Sequence, residues 1–319
     1  MKRIYSIFLV SIMLLSAGMV FAAGKPVLGL VLWNKYHPVV QIMEVGFLSK
    51  AEELGYEGKL YASDGPDLAG AIALGEQAVA EKVAGLAIYQ LSPGIRPLMK
   101  KASDAGIPVV VPHSKITPSE VPGPIGWVTN DNVKFGIEAG EALAKAMGGK
   151  GTIAITQGGF NPQENPPSAA LTKFIRNNYP DIKVLDPIEE GFDMAVAVSR
   201  ITALIQANPD ITAAFGTTGN SPVTWSKATD NVGRDDILII GMDFSRQNVD
   251  LVKSGKVFGI VAQPLFKIFE ESAVILDAHI KGKPYQYENM LPSPVVLQGI
   301  VKYDAILNKV EEAFKRIQK

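Results

Sequence analysis

KPVLGLVLWNKYHPVVQIMEVGFLSKAEELGY, residues 25–56, is the stretch that decides the fold. Its near-continuous apolar run, PVLGLVLW, has the character of a strand buried on both faces, as strands are when helices cover a parallel sheet. The chain leaves this run through a polar turn, NKYHP. From Val39 the spacing changes: Val40, Met43, Phe47, Ala51 and Leu54 fall on one helical face, and Gly55 stops the helix. Strand, loop and helix in this order form the first unit of an open parallel α/β sheet. Small molecules bind such sheets in the crevice beyond the carboxyl ends of the strands, which directs attention to Trp33, Asn34, Tyr36 and His37.

Toward the amino end, Lys2 and Arg3 precede an apolar run over Ile7 to Met19, and Val20-Phe21-Ala22 offers small residues before a cut. The run is shorter than the ~20 residues that span a bilayer, so 1–22 is expected to be a cleaved secretory signal peptide. Toward the carboxyl end the strand and helix alternate. Strands are expected over Glu57–Ala62, Leu86–Tyr89, Ile107–Val111 and Ile125–Val128, with helices over Ile72–Ala84 and Arg96–Ala105. The polar run Thr129 to Asn132 is suited to capping a helix from Val133 to Met147. The alternation then starts again, with strands Thr152–Thr156, Ile182–Leu185, Ile211–Phe215, Ile237–Gly241 and Val257–Ala262. Helices Ala169–Asn178, Met194–Ala207 and Val223–Asn231 lie between them. About five strands occur in each series, and handedness and burial rules make two parallel α/β lobes the economical solution. The remainder is expected to complete these lobes: a helix Leu265–Ile280, a polar and aromatic stretch Tyr285–Leu291, a strand-like run Val295–Tyr303 and an amphipathic helix Asp304–Ile317.

Composition narrows the function. Removing Lys2 and Arg3 takes the formal net charge from -1 to -3, and no long basic run exists, so nucleic acid and anionic membrane are not expected partners. The absence of cysteine excludes disulfides, thiolate chemistry and a lipid-modified cysteine. No HExxH, Gly-x-Ser-x-Gly or GxxxxGK pattern is present, and the first strand leads to WNKYHP instead of a glycine fingerprint for dinucleotides. An exported, unanchored chain points to the Gram-negative periplasm.

A resemblance rests on AEELGY after the first helix, IPVV before the loop at His113, and NDN at 130–132. It rests further on QG after the sixth strand, ANPDITAAF before TTGN, IIGMDF, and GIVAQP. In this order and spacing, over 25–301, the chain resembles the ribose- and galactose-type periplasmic sugar-binding proteins of bacterial ABC transporters, the periplasmic binding proteins of type 1. They share their fold with the ligand domains of LacI-type repressors. The resemblance implies two Rossmann-like parallel-sheet lobes joined by a three-crossover hinge, 23–129 with 264–292 and 130–263 with 293–319. It implies no enzymatic activity and no cofactor. The implied function is to close on one small neutral sugar or polyol and present it, as a monomer, to the membrane permease of an ABC importer. The alternative within this fold is a furanosyl quorum signal or chemoreceptor-linked sensing.

A sugar carries polar hydroxyls around an apolar ring face, so its site needs carboxylate, amide or imidazole groups together with flat aromatic rings. Carried over by position, the resemblance makes Asp243 the carboxylate that accepts from two hydroxyls, Gln263 the amide at the second hinge, and Phe192 a stacking ring. Thr218 stands where the family often has asparagine, with Asn220 as a substitute. The first lobe departs from the ribose type. His37-Pro38-Val39-Val40 replaces Asn-Pro-Phe-Phe, so Trp33 or Tyr36 must supply the second aromatic wall, and His113-Ser114 replaces Asp-Arg. The family's arginine after QG has no counterpart, and Asn165 is the nearest polar match. His37, His113 and Asp243 would form a metal site only by joining loops of opposite lobes, which the family does not do.

Overall fold

In the computed structural model, the described residues are 24–298, save Pro66, together with 307, 308, 311, 312 and 315. The signal segment 1–22 lies outside them, as does most of the expected helix 304–317, of which those five C-terminal positions are helical.

The first half of the chain runs β1 (Val27–Leu32), α1 (Pro38–Glu53), β2 (Glu57–Ala62), α2 (Leu68–Ala80), β3 (Gly85–Ile88), α3 (Arg96–Asp104), β4 (Val109–Pro112), β5 (Gly126–Asn130) and α4 (Asn132–Ala146). There follow β6 (Gly151–Gln157), α5 (Asn165–Asn178), β7 (Ile182–Val184), β8 (Ile188–Glu189), α6 (Met194–Ala207), β9 (Ile211–Gly216), α7 (Ser221–Val232) and β10 (Leu238–Met242). The last elements are α8 (Arg246–Lys253), β11 (Gly259–Val261), α9 (Leu265–Ile280), β12 (Glu288–Leu291) and β13 (Val295–Leu297). One sheet has the order β12-β5-β4-β3-β1-β2 and the other β13-β11-β10-β9-β6-β7, with β8 also pairing β6. The strands of both sheets are parallel except β13, which runs antiparallel to β11.

Each sheet is covered on both faces, which is why its inner strands are mainly apolar, unlike the edge strands β2 and β12. On β1, Leu28, Leu30 and Leu32 face the layer of α1 and α9, whereas Val31 faces α2 and α3. In the second lobe, Phe135, Leu143, Leu171 and Ile175 from α4 and α5 cover one face, and Ile201, Ile205, Trp225 and Val249 from α6, α7 and α8 cover the other. The chain passes between sheets three times, after β5, after β11 and between β12 and β13. Asp131 caps α4 at the first passage, its side chain accepting from the Lys134 amide at 2.9 Å.

Several element boundaries differ from expectation. The stretch 285–291 contains an edge strand, β12, whose alternating exposure hides it from a search for buried runs. α2 begins at Leu68, four residues before the expected Ile72, with Asp67 at the cap position but without a capping side-chain bond. α5 begins at Asn165, not Ala169, because the two prolines that suggested a loop occupy its first turn, where a missing N–H costs nothing. Of the expected strand Val295–Tyr303, Val295–Leu297 is seen and 299–303 lie outside the described residues; β11 is shorter than its expected run.

Candidate ligand-binding cleft

Both sheets repeat the order second-first-third-fourth-fifth. In that order the connections from the first and third strands leave on opposite sides, and a crevice opens beyond their carboxyl ends. Here the two crevices face one another. Trp33 and His37 follow β1, Tyr89 follows β3 and His113 follows β4. From the opposite lobe, Gln163 and Glu164 follow β6, Phe192 follows β8, Thr217 to Gly219 follow β9, and Asp243 follows β10. Gln263 comes from the second passage, and Val39, Val40 and Met43 from the first turns of α1. Together they line one partly open cavity.

The lobes touch across this space. Trp33 and Phe192 meet edge to face with centroids 5.4 Å apart. Gln163 Nε2 donates to Gln90 O and to Ser114 Oγ, both at 2.8 Å.

The hydrogen-bond partners decide the tautomer of each histidine. His37 caps α1 by accepting from the Val39 amide at Nδ1, 3.3 Å away, so its proton sits on Nε2, which is buried and unpartnered. Burial lowers the pKa of His37, keeping the ring neutral. His113 adopts a left-handed backbone, φ 58°, and its Nε2 lies 2.9 Å from Gln263 Oε1. An amide oxygen only accepts, so Nε2 donates, Nδ1 is left as an acceptor, and the Gln263 amide nitrogen is left to donate. Burial pushes the His113 pKa down to about 4.

Asp243 is also left-handed, φ 70°, a conformation that aspartate tolerates through its short polar side chain. Asn248 Nδ2 donates to Gly219 O, Met242 O and Asp243 O at 2.9, 3.0 and 3.1 Å, which ties the β9 and β10 loops together. Asp243 Oδ1 has no partner, and burial, reinforced by the charge of Glu164, raises its pKa to about 7. Glu164 is satisfied instead. It accepts from the Gly158 amide at 2.6 Å, Thr217 Oγ1 at 2.7 Å and Asn161 Nδ2 at 2.9 Å, and so holds its loop against β9.

Of the residues expected at the site, Trp33, His37, His113, Phe192, Thr218, Asp243 and Gln263 line the cavity. Tyr36, Asn165 and Asn220 do not. Tyr36 is 64% exposed, with Lys35 Nζ 5.1 Å from its ring centroid. Asn165 opens α5 and accepts from Gln157 Nε2 at 3.2 Å. Asn220 precedes α7 with a helical backbone, which turns it along the helix. Tyr89, Gln163 and Glu164 were missed. Tyr89 ends an apolar strand as Trp33 does, so the same rule would have found it; the loop of Gln163 and Glu164 offers no periodic signal.

Gly219 permits a close approach between the lobes. A Cβ there would stand 2.6 Å from Val39 Cγ2 and 2.6 Å from Asp243 Oδ2. Gly219→Ala is expected to weaken ligand binding by about 1–3 kcal/mol, the usual range for overpacking, through hindered closure. Calorimetry beside a thermal melt checks this, because the ligand-free melting temperature is expected to change little.

Comparison with known proteins agrees with this architecture. The model of the periplasmic binding protein domain matches residues 28–284, and the chain belongs to that family. It is a periplasmic-type solute-binding protein of the ABC-importer class with the type-1 architecture, and its family is non-catalytic and works with a membrane permease. The ribose import binding protein RbsB of Salmonella typhimurium is 25% identical over 298 residues, 88% of this chain and 92% of that protein. The xylitol-binding protein of Mycolicibacterium smegmatis is 25% identical over 224 residues, 70% of this chain and 62% of that protein. In fold, an ABC-transporter solute-binding protein from Agrobacterium vitis bound with alpha-D-tagatopyranose superposes with a TM-score of 0.81 at 20% identity, covering 89% of this chain and 98% of that one. Among the described residues no group of three or more His, Cys, Asp or Glu is placed to hold a metal.

Proposed function

We propose that the cleft closes on one small neutral monosaccharide or polyol, which the protein delivers to its permease. The observation that carries this is the set of unpartnered buried atoms around one cavity: Asp243 Oδ1, Gln163 Oε1, Trp33 Nε1 and His37 Nε2. Hydroxyl groups both donate and accept, so a polyhydroxylated ligand meets all four. Trp33 and Phe192 offer flat apolar surface for a ring or carbon chain. Among the described residues no lysine or arginine lines the space, which disfavours phosphorylated and acidic sugars. Relatives named for ribose, xylitol and D-apiose support a ligand of this size.

The lobes are assigned as 23–129 with 264–292 and 130–263 with 293–319, moving about the three passages. Ligand that contacts both lobes shifts the population toward the closed form by its differential affinity. The test uses protein purified from the periplasm, with an amino terminus expected by mass at or near Ala23, then refolded free of ligand. A thermal-shift screen of pentoses, hexoses, deoxy sugars, polyols and furanosyl signals is expected to give at least one neutral hit that raises the melting temperature. The same hit is expected to lower the radius of gyration in solution scattering. A tight ligand that leaves the scattering unchanged would refute the hinged trap.

A further inference from the structure

The unpaired polar atoms around the cleft are evenly divided, but its charges are not. Asp243 Oδ1 and Gln163 Oε1 are acceptors without donors, and His113 Nδ1 joins them because its other nitrogen donates to Gln263. Against these stand three donors, Trp33 Nε1, His37 Nε2 and the Gln263 amide nitrogen. Charge, in contrast, is one-sided. Asp243 and Glu164, 5% and 8% exposed, both line the cavity, and among the described residues no lysine or arginine does. Glu190 lies wholly buried near them, with one oxygen accepting from Ser221 Oγ and the other unpartnered. Arg96, bonded to Gln90 Oε1 at 3.0 Å, stays outside the cavity. Glu164 is saturated by donors and acts through its field, whereas Asp243 keeps an oxygen for the ligand. A buried carboxylate without a cation is unfavourable, and a cation within reach relieves it. The faces of Trp33, Tyr89 and Phe192 also attract an ammonium group.

We propose that the cleft takes sugars or polyols in which an amine replaces the hydroxyl facing Asp243, and binds them more tightly than their neutral parents. This rests on the carbohydrate reading above and extends it from neutral ligands to their cationic amines. An ammonium group has nearly the size of the hydroxyl it replaces, so shape does not reject it. It still donates to Asp243 as the hydroxyl would, and its charge offsets Asp243 directly and Glu164 at longer range.

Calorimetry at pH 7.5 on the whole mature protein, with matched probes, tests the proposal. The sets are D-glucose and D-galactose with their 2-amino-2-deoxy, N-acetylated and uronic acid forms, and D-glucitol with 1-amino-1-deoxy-D-glucitol. At least one amine is expected to bind tenfold or more tightly than its parent, the N-acetylated form to lose that gain, and the uronates not to bind. Asp243→Asn keeps the side-chain volume and suits the left-handed backbone; it is expected to weaken the amine more than the parent, with a melting curve verifying the fold. Neutral parents that bind while every amine binds more weakly would overturn this proposal and leave the carbohydrate reading standing. So would a gain that survives Asp243→Asn. A panel in which no amine binds would overturn this proposal, and the carbohydrate reading falls with it only if the thermal-shift screen also gives no neutral hit.

Discussion

Asp243→Ala is expected to weaken binding of the sugar by about 2–4 kcal/mol, roughly 30- to 1,000-fold in Kd, with titration calorimetry as the measurement. The size follows from where the residue stands. Its carboxyl group is buried, one oxygen lacks a partner, and its backbone is clamped by Asn248, so the acceptor is already aimed before ligand arrives. Charge-assisted hydrogen bonds in a closed, desolvated cleft are the strong ones. The same placement makes binding pH-dependent. Burial and the neighbouring Glu164 raise the Asp243 pKa to about 7 in the free protein, and a ligand that donates to it favours the ionised form. Affinity is therefore expected to rise with pH up to about 7 and level off above it, approaching roughly tenfold per unit on the acid side, where one proton must leave. The other groups around it are accounted for. His113 is neutral above about pH 4, His37 is held neutral by burial, burial raises Glu164, and Glu190 is raised to about 7 but bonds to Ser221. Flattening of the pH profile in Asp243→Asn assigns the proton. Stability runs the other way: between about pH 4 and 7 the ligand-free protein holds protons on Asp243 and Glu190 that the unfolded chain releases. These two groups therefore make it less stable as pH rises through that window.

Gly46→Val is expected to lower stability by about 3 kcal/mol, near the top of the usual overpacking range, and the melting temperature by roughly 6–12 °C. α1 and α9 pack at Gly46, where a Cβ would fall 2.4 Å from the carbonyl oxygen of Phe266 and 3.1 Å from its carbonyl carbon. Backbone cannot rotate aside as a side chain can, so the helices must separate. Separation has a functional consequence, since α1 begins with the cap His37 and the cleft residues Val39 and Val40, and α9 begins two residues after Gln263. Gly65→Ala is the control. It has open space at its Cβ and is expected to stay within about 0.5 kcal/mol of the wild type in the same melts.

The one-dimensional pattern determined the class of fold, and the reason is local. Strands covered on both faces must be apolar throughout, helices between them must carry a stripe, and the carboxyl ends of parallel strands mark the crevice. Trp33 and His37 were legible as residues beyond a strand end for that reason, whereas His113, Phe192, Thr218, Asp243 and Gln263 came from the resemblance. Contacts between distant segments decided the rest. Which aromatic of the first loop faces inward depends on hydrogen bonds from Asn34 to Gly65 and from Lys35 to Ser63, which fold the turn so that Trp33 enters the core and Tyr36 meets solvent. In the loop after β6, Asn161 Oδ1 accepts from the amides of Gln163 and Glu164, a turn that sends those two side chains into the cleft and leaves Asn165 to open α5. Periodicity carries no trace of such a turn, because its hydrogen bonds join side chain to backbone within a few irregular residues. The lack, among the described residues, of any lysine or arginine lining the cavity of the buried carboxylates is likewise a property of the assembled cleft. It is invisible in a chain with 31 basic and 32 acidic residues, since only folding selects which of them share the same enclosed space.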